Sequence, residues 1–562
     1  TDIETVIVPV KHLESLSEIR LSDKAYFIPE FSDGDIISIA FDCGEFIAVV
    51  DNNSFTFASE LADILSNEKI EKITCDAKQL YSWAFMRDVR IKGKVSDIMI
   101  AGYILNPSAN DYSPVRMAQE YGVLCPEISE ENETALKAAA LKGAWEKVIK
   151  QIEENDQLPL LYDIEMPLSK VLSSMEVTGF LVDRESIQQY GAVLEEKINS
   201  LVSEIYDLAG EEFNINSPKQ LGTILFEKLG LPAKKKTKSG YSTNADVLEG
   251  LAPDYPIVSL ILEYRTLAKL KSTYCDGLQK CIAPDGRIHS TLNQTETKTG
   301  RISSTEPNLQ NIPVRTPVGR ELRKFFIAKE GCVLVDADYS QIELRVLSDI
   351  ANDETMISAF NNGDDIHTIT ASQVFNMPVE AVTPLMRSRA KAVNFGIVYG
   401  IGAFSLAHDI GVTRAEADKY IKGYLHHFSG VDSYMKNVIA KAKEDGYVQT
   451  LFKRRRYLPE LAASNAMIRN FGERVARNMP IQGTAADIIK IAMVRVYDRL
   501  EKENLKSKLI MQIHDELIVE APENEQAQVQ KIIREEMENA CKMKVKLTAD
   551  VHCGKSWYDA KG

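Results

Sequence analysis

Hydrophobic and polar positions follow two different periods along this chain. Short apolar runs of strand length at 24–31, 35–42 and 45–51 are separated by Asp and Gly, which are typical turn residues. Apolar residues at helical spacing follow at 57–66 and 95–107, and Pro107 ends the second pattern. Residues 133–156 are rich in Ala, Lys and Glu and predict a further helix. This mixture predicts an α/β domain over residues 1–157.

Longer amphipathic patterns dominate from residue 158 onward. They predict two helices that end at Gly179 and Gly210, since glycine is common just after a helix C-terminus. Strands and helices are mixed from about residue 288 to the end, which predicts an α+β domain over 158–562. A basic loop lies between the two patterns, and it is either solvated or a clamp on a phosphate backbone. Its lysines include Lys234, Lys235 and Lys236.

Composition limits the classes of protein that fit these patterns. The chain has 562 residues, 44% hydrophobic and 26% charged, which is an ordinary globular composition. The net charge of −15 argues against binding nucleic acid with the whole surface, although a local basic groove is still compatible with it. No long apolar stretch predicts a membrane span. Eight scattered cysteines without a CxxC pair predict reduced thiols and a cytoplasmic protein.

Acidic residues follow an apolar strand in "GCVLVDADYSQIELR". Asp336 and Asp338 lie two positions apart and therefore face the same side of that strand. A carboxylate at a strand end suits Mg²⁺, which prefers oxygen ligands. A turn or cap residue is the alternative interpretation of an isolated Asp there.

Cations and aromatic residues share one face of the predicted helix "MRSRAKAVNFGIVYGIG". Arg387, Lys391, Phe395 and Tyr399 recur every four residues. The cations suit phosphate oxygens and the rings suit a flat base. The alternative is a basic amphipathic helix whose aromatic residues pack into the core.

Polar residues in four other segments are candidates for ligand contacts. A lone histidine is usually structural, and a basic run such as 453–456 is usually a solvated loop. Residues 295–313 predict a polar, extended segment, and "LIMQIHDELIVEAP" predicts a hairpin whose turn lacks Gly, Pro and Asn. A turn that lacks the residues favoured in turns is the kind of departure from local rules that is expected at functional sites. The candidates are His367, Arg301, Asn308, Gln310, Asn311, Arg455, Arg474, Asn478, Gln482, His514, Asp515 and Glu516.

Three of these segments together resemble the signature motifs of family A DNA polymerases. They are "DYSQIELR", "RSRAKAVNFGIVYG" and "QIHDELIVE", in that order. "TGRISSTEPNLQNIP", "FNINSPKQLG", "RRRYLP" and "PIQGTAADIIK" resemble further segments of the bacterial members. The resemblance implies an RNase H-like 3′–5′ exonuclease-type domain and then a right-hand polymerase. The thumb would span about 180–288, the palm 289–350 and 475–562, and the fingers 351–474. The family's 5′ nuclease domain is missing, so the chain resembles a large fragment.

The resemblance also implies roles for individual residues. Asp338 and Asp515 would bind two Mg²⁺ ions, for which Mn²⁺ can substitute. Glu516 would be an auxiliary carboxylate, and Lys391 the proton donor to pyrophosphate. The residues implied to bind the dNTP are Arg387, Lys391, Phe395, Tyr399, His367, Gln341 and Glu343.

Primer–template DNA is the implied partner, in repair and in lagging-strand processing during replication. A monomer in the bacterial cytoplasm, associated with the nucleoid, is expected. The residues implied to contact DNA are Arg301, Asn308, Gln310, Asn311, Arg474, Asn478, Gln482, His514, Lys234, Lys235, Lys236 and Arg455.

The N-terminal section departs from the family at its nuclease motifs. In "AYFIPEF", Pro29 and Phe31 stand where the first carboxylate pair is expected, and Glu30 points to the other face. Leu80 stands at the second expected position, with Asp76 nearby. We therefore predict a domain that keeps the fold and lacks nuclease activity. A primer–template-binding module without chemistry, and a dedicated exonuclease, are the alternatives to a polymerase.

Overall fold

The computed structural model describes residues 7–233, 236–237, 240–313 and 316–562. Within these residues, no helix is both long and apolar enough to cross a lipid bilayer. The cysteines are unpaired, in agreement with the prediction of reduced thiols.

The N-terminal section is a sheet with helices packed around it. Its main sheet has six strands in the order β2-β5-β4-β3-β6-β7, and a separate parallel pair joins β1 to β8. The strands are β1 (Ile7–Val8), β2 (Val10–His12), β3 (Lys24–Ser32), β4 (Asp35–Asp42), β5 (Ile47–Asp51), β6 (Glu71–Thr74), β7 (Val95–Asp97) and β8 (Glu127–Ile128). The helices are α1 (Phe57–Ser66), α2 (Ala77–Phe85), α3 (Ile98–Leu105), α4 (Pro114–Glu120) and α5 (Glu133–Glu154).

The central strands β3, β4 and β5 are buried on both faces because helices cover each side of the sheet. One core includes Ala40, Val49 and residues of α3 and α5. The second includes Phe27, Phe41 and residues of α1 and α2. Burial on both faces explains why these strands have nearly continuous apolar runs.

A helical section follows and carries short strands. The predicted helix ends are confirmed, since Gly179 and Gly210 each follow a helix at positive φ. Its helices are α6 (Met166–Thr178), α7 (Arg184–Ala209), α8 (Pro218–Gly222), α9 (Ala245–Leu251), α10 (Pro256–Lys269) and α11 (Gly277–Cys281). Its strands are β9 (Phe180–Leu181), β10 (Lys236–Thr237), β11 (Gly240–Tyr241) and β12 (Arg287–Ile288). Wider π-helical turns span Leu160–Glu165, Thr223–Lys228 and Leu270–Asp276.

An antiparallel sheet forms the centre of the second half, with the order β18-β19-β15-β20. A second helical section lies between its first strand and the other three. The elements up to that section are β13 (Thr291–Asn293), β14 (Ser303–Thr305), α12 (Pro317–Arg323), β15 (Cys332–Tyr339) and α13 (Ile342–Ile350). The elements after it are β18 (Lys508–Ile513), β19 (Glu516–Pro522), α21 (Gln526–Glu538), β20 (Ala549–Gly554) and α22 (Trp557–Ala560).

The second helical section ends in one helix of 37 residues, α20, which crosses behind the antiparallel sheet. Its elements are α14 (Glu354–Asn361), α15 (Ile366–Val374), α16 (Pro384–Tyr399), α17 (Ala403–Ile410), α18 (Arg414–His427), α19 (Ser429–Asp445), β16 (Tyr447–Gln449), β17 (Arg455–Tyr457) and α20 (Ala466–Lys502).

The two faces of β15 explain why carboxylates stand on this strand. Val333, Val335 and Ala337 pack into a core with α20 and α21, whereas Leu334 belongs to a different core with Trp557. Asp336 and Asp338 have the same parity as Leu334, so the prediction that they share one face is confirmed. That face is closed by α22 near Leu334 and opens into a cleft at Asp338.

Two predictions of local structure are wrong in part. The helical pattern at 95–107 forms a helix only over Ile98–Leu105, because Val95–Asp97 pair with β6 as strand β7. Residues 295–313 were expected to be extended, but Leu309–Asn311 form a 3₁₀ turn. Asn308 starts this turn because its side chain accepts a hydrogen bond from the backbone N–H of Gln310 at 3.0 Å. Asn side chains commonly form such turns, and this competes with an extended backbone.

Candidate functional site

A cleft of about 630 Å³ lies at the open edge of the antiparallel sheet. Segments that are far apart in sequence line it: the stretch 297–311, the β15–α13 junction, α16, α20 and the β18–β19 turn. The structure brings eleven of the predicted site residues together there. They are Arg301, Gln310, Asn311, Asp338, Gln341, Glu343, Phe395, Tyr399, His514, Asp515 and Glu516.

The β18–β19 hairpin places Asp515 beside the end of β15. Ile513 pairs with Glu516, so the turn contains only two residues. His514 takes a left-handed backbone with φ of 50°, which is uncommon for a residue with a side chain. The backbone N–H of Tyr339 donates to the Asp515 carbonyl oxygen at 3.0 Å and ties the turn to β15. The sequence predicted a turn without the residues that favour one, and the structure shows the uncommon backbone conformation of that turn at the cleft.

Asp338 and Asp515 are carboxylates whose charges are costly in this cleft. Burial, together with the charges of Glu343 and Asp338, raises the pKa of Asp515 to about 7. Burial also raises the pKa of Asp338, against the opposing effect of Lys561. No hydrogen bond to the Asp515 carboxylate is found among the described residues. Two half-buried acidic groups with oxygens left over fit a hard divalent cation, which would offset their mutual repulsion.

Sequence reasoning missed a lysine that neutralises this cluster. The Lys561 ammonium lies 3.0 Å from Asp338 Oδ2 and also donates to Glu516, while Trp557 Nε1 donates to Glu516 at 2.8 Å. Burial and the neighbouring Glu516 raise the pKa of Asp336. Glu516 is fixed by Lys561 and Trp557. A Lys far from the signature motifs gives no sequence signal of this contact.

The predicted stripe on α16 is present and divides into two parts. At the C-terminal end, the Phe395 and Tyr399 rings stack with centroids 6.3 Å apart and face the cleft. Toward the N-terminus, Arg387 Nε donates to Asp365 Oδ2 at 2.7 Å. Arg387 and Lys391 lie outside the lining of the cleft. The stripe thus extends outward from the carboxylates, with rings close to them and cations farther away.

His367 lies behind the cleft and does not line it. It is buried, and its two ring nitrogens contact Asn394 Nδ2 at 2.9 Å and Gln341 Nε2 at 3.1 Å. Burial and the nearby Arg387 and Lys391 lower its pKa to about 4. The neutral ring therefore supports Gln341 and Phe395 from behind, and its contact with a triphosphate stays a prediction.

Glu343 and Arg301 connect the two sides of the cleft. Arg301 Nη2 lies 2.5 Å from Glu343 Oε1, and Glu343 is 7% exposed. Burial and the Glu343 charge raise the pKa of Tyr399 to about 12. The loop residue Arg301, the α13 residue Glu343 and the α16 residue Tyr399 therefore form one connected group above the carboxylates.

The remaining predicted DNA contacts lie outside the lining of the cleft. Arg474, Asn478 and Gln482 form a row along α20, with Arg474 exposed and packed against Gly400. Arg455 stacks its guanidinium 4.2 Å from the Tyr447 ring in the β16–β17 hairpin. Asn308 caps the 3₁₀ turn. The lysines of the basic loop fall outside the description: Lys234 and Lys235 entirely, and the side chain of Lys236.

The N-terminal domain has two neighbouring aspartates whose oxygens are already used. Asp97 accepts backbone hydrogen bonds from Asp76 at 3.2 Å, Ala77 at 2.7 Å and Met99 at 2.8 Å. Asp76 caps α2 by accepting from the Gln79 backbone at 3.4 Å. On β3, Pro29 is buried and Glu30 is exposed, and the pairing with β4 shifts register between Glu30 and Phe31. No cluster of three or more possible metal ligands is found in any described part of the chain. Asp97 was missed by sequence reasoning, although an Asp between a strand and a helix is a recognisable cap signal.

Comparisons with known proteins agree with this architecture. A family model described as DNA polymerase I, ribonuclease H-like domain, matches residues 27–132, and one described as DNA polymerase family A matches residues 184–559. The molecule therefore combines an RNase H-like domain with a polymerase domain, which confirms the predicted fold class. The chain belongs to DNA polymerase family A.

Relatives of known sequence and structure support this assignment. The chain is 44% identical to DNA polymerase I of Caldicellulosiruptor bescii, over all of this chain and 65% of the relative. It is 47% identical to DNA polymerase I of Bacillus subtilis, over 88% of this chain and 59% of the relative. It thus spans about three fifths of these proteins. A solved structure titled as the POL domain of Pol1 from M. smegmatis, in complex with DNA primer-template and dNTP, matches with a TM-score of 0.91 at 36% identity. The match covers 99% of this chain and 100% of that one.

Proposed function

We propose that this chain is a DNA-templated DNA polymerase that adds deoxynucleotides to a primer 3′ end. One observation carries the proposal: Asp338 and Asp515 line one cleft together with the stacked rings of α16 and the loop of Arg301. Carboxylates beside aromatic and cationic side chains suit a ligand with phosphates, a sugar and a base. Family membership adds to this support.

Asp338 and Asp515 are the proposed ligands of two Mg²⁺ ions, and Mn²⁺ is the proposed substitute. When bound, such ions activate the attacking hydroxyl and stabilise charge on the phosphates during in-line transfer. Glu516 keeps Asp338 and Lys561 in place and takes no direct part in binding. Catalysis otherwise depends on positioning and electrostatics, which the fixed hairpin turn supplies.

The α16 stripe is the proposed dNTP site. Arg387 and Lys391 bind the triphosphate, and Lys391 donates a proton to the leaving pyrophosphate. Phe395 packs against the sugar, and Tyr399 stacks beside the new base pair. Glu343, held by Arg301, blocks a ribose 2′-hydroxyl. Gln341 contacts the phosphates, and His367 holds Gln341 in place.

The primer–template is proposed to lie across the stretch 301–311, the row of polar residues along α20, which runs from the exposed Arg474 to the buried Gln482, and the hairpin turn. Its minor-groove acceptors have similar positions in all correct base pairs, so these contacts test pair geometry without reading sequence. The residues involved are Arg301, Asn308, Gln310, Asn311, Arg474, Asn478, Gln482 and His514. Arg455 and the basic-loop residues Lys234, Lys235 and Lys236 are proposed to contact the backbone of the duplex.

The N-terminal domain is proposed to lack 3′–5′ exonuclease activity. Its Asp76 and Asp97 use their oxygens to accept hydrogen bonds from neighbouring residues, so they are not free to bind metal. The domain bounds 1–157 and 158–562, and the thumb, palm and fingers bounds, stay predictions. The same holds for a monomeric state, a nucleoid-associated location, and roles in repair and lagging-strand processing.

Primer extension with dNTPs and Mg²⁺ tests the polymerase proposal. We expect the unmutated chain to extend a labelled primer, and Asp338→Ala to abolish extension. Asp550→Ala is the matched control, since Asp550 pairs with Asp338 on the neighbouring strand but lies outside the cleft. Tight primer–template binding without extension by the unmutated chain would instead support a binding module without chemistry.

A further inference from the structure

The N-terminal domain touches the second half of the chain beside the segment that we propose to hold DNA. We call residues 294–302, which join β13 to β14, the primer loop. The Tyr103 hydroxyl on α3 donates to the carbonyl oxygen of Thr297, inside this loop, at 2.5 Å. Lys78 on α2 donates to the carbonyl oxygen of Leu292, just before the loop, at 2.8 Å. Two elements of a domain without a proposed activity therefore hold the backbone of this stretch.

Tyr103 is itself held firmly. It is 1% exposed, its ring meets Tyr112 edge-on at 6.2 Å, and the Arg454 guanidinium lies 5.9 Å from its ring centroid. A buried ring packed on both sides cannot swing its hydroxyl away from the loop. The contact with Thr297 is therefore a fixed point for the primer loop.

A further support of the primer loop is Arg454, which is buried among charges. Its Nε donates to Asp487 at 2.8 Å, and it also contacts Glu165, to which Lys490 donates at 2.6 Å. Gly300 of the loop lies directly on this arginine, because a Cβ added there would come within 2.5 Å of Arg454 Nε. The loop is thus held between Tyr103 and Arg454.

The loop transmits its position to the cleft. Thr297 Oγ1 donates to the carbonyl oxygen of Arg301 at 2.6 Å, which closes the loop into a compact turn. Arg301 in turn contacts Glu343 inside the cleft. Fixing the Thr297 backbone therefore fixes the residue that we propose to meet the primer–template.

We propose that the exonuclease-like domain acts as a brace for the primer loop, with Tyr103 as the positioning residue. The domain orders the loop before DNA arrives, so that binding costs less conformational entropy. The brace sets affinity for primer–template and leaves the chemical step unchanged. This inference rests on the proposed polymerase function, and specifically on the primer loop as a DNA contact.

Tyr103→Phe tests the brace, because it removes one hydroxyl and keeps the buried ring. Tyr112→Phe is the matched control: its hydroxyl also donates to a backbone carbonyl, that of Asn106 at 2.6 Å, but within the N-terminal domain. We expect Tyr103→Phe to raise the Kd and KM for primer–template by roughly threefold to tenfold, with kcat unchanged. Tyr112→Phe should leave all three unchanged, although both variants lower Tm to a similar extent.

Two further measurements separate the brace from a general loss of stability. Amide hydrogen exchange in residues 294–302 should be faster in Tyr103→Phe than in Tyr112→Phe. Lys78→Met, which removes the second contact, should also raise the Kd. Equal Kd values for the Tyr103 and Tyr112 variants, or a fall in kcat with an unchanged KM, would overturn the brace. Failure of the unmutated chain to extend a primer would instead overturn the polymerase proposal, and the Kd and exchange measurements do not depend on it.

Discussion

Two aspartates in different domains both have a raised pKa, but their surroundings differ. Burial raises the pKa of Asp97 in the N-terminal domain and of Asp515 in the cleft, each to about 7. Asp97 accepts three backbone hydrogen bonds, whereas no hydrogen bond to the Asp515 side chain is found among the described residues. A raised pKa therefore does not separate a site residue from a cap residue. The two kinds of residue differ in whether their carboxylate oxygens remain available for a ligand.

Replacing the cleft aspartate should give the largest effect on activity. We expect Asp515→Asn to lower kcat for primer extension by at least about 10³-fold, since a metal ligand is lost. In the absence of metal, Asp515→Asn should be as stable as the unmutated chain at pH 8, or more so, because a half-buried charge is removed without breaking a hydrogen bond. Denaturant unfolding beside steady-state kinetics checks both. A loss of stability would show that Asp515 is a structural residue.

Replacing the N-terminal aspartate should give the opposite result. Asp97→Ala takes the partner from three backbone N–H groups, one buried and two part-buried, so we expect the free energy of unfolding at pH 5.5 to fall by about 2–4 kcal/mol. Primer extension at a temperature where the variant is folded should keep its kcat. The same unfolding and extension assays measure this. A variant with unchanged stability would contradict the assignment of Asp97 as a cap.

The pH dependence of stability sharpens the same contrast. The folded pKa of Asp97, about 7, lies above its ordinary value, so its protonated form is favoured in the fold. Its contribution to stability is complete below about pH 4 and is lost as the pH rises through about 7. The stability deficit of Asp97→Ala should therefore shrink between pH 5 and pH 8 by about 1–3 kcal/mol. Unfolding curves at several pH values measure this change. A stability deficit that stays constant with pH would contradict the prediction.

The smallest effect is expected at Asp76. Loss of a helix N-cap costs about 1 kcal/mol, so Asp76→Ala should lower the free energy of unfolding by that amount. Asp76→Asn keeps the capping oxygen and should change little, whereas a metal ligand would not tolerate the loss of charge. Nuclease assays on labelled single strands should be negative for all three chains. Nuclease activity of the unmutated chain that disappears in Asp76→Asn would show that Asp76 is a metal ligand and not only a helix cap.

Sequence periodicity predicted most of the fold because the elements are locally determined. The bounds 35–42 and 57–66 agree with the structure, and glycines end α6 and α7 where predicted. The 3₁₀ turn at Leu309–Asn311 was missed, since a side chain of Asn308 decides it.

The site was predicted in part for a different reason. Asp338 and Asp515 are 177 residues apart in sequence, and only their resemblance to known motifs brought them together before the structure did. Lys561, Trp557 and the group of Glu165, Arg454, Asp487 and Lys490 carry no local signal, because long-range packing alone creates their contacts. His367 is buried and lies outside the lining of the cleft, and the sequence carries no signal of that burial because neighbouring helices create it.

The most direct measurement follows one labelled primer in two parallel reactions that contain Mg²⁺. In the first the primer is paired with a template and dNTPs are added, and in the second it is a single strand without template or dNTPs. The account predicts extension by the unmutated chain and by Asp97→Ala, none by Asp338→Ala, and no shortening of the single strand by any of them. Shortening that is lost in Asp97→Ala, or extension that survives in Asp338→Ala, would contradict it.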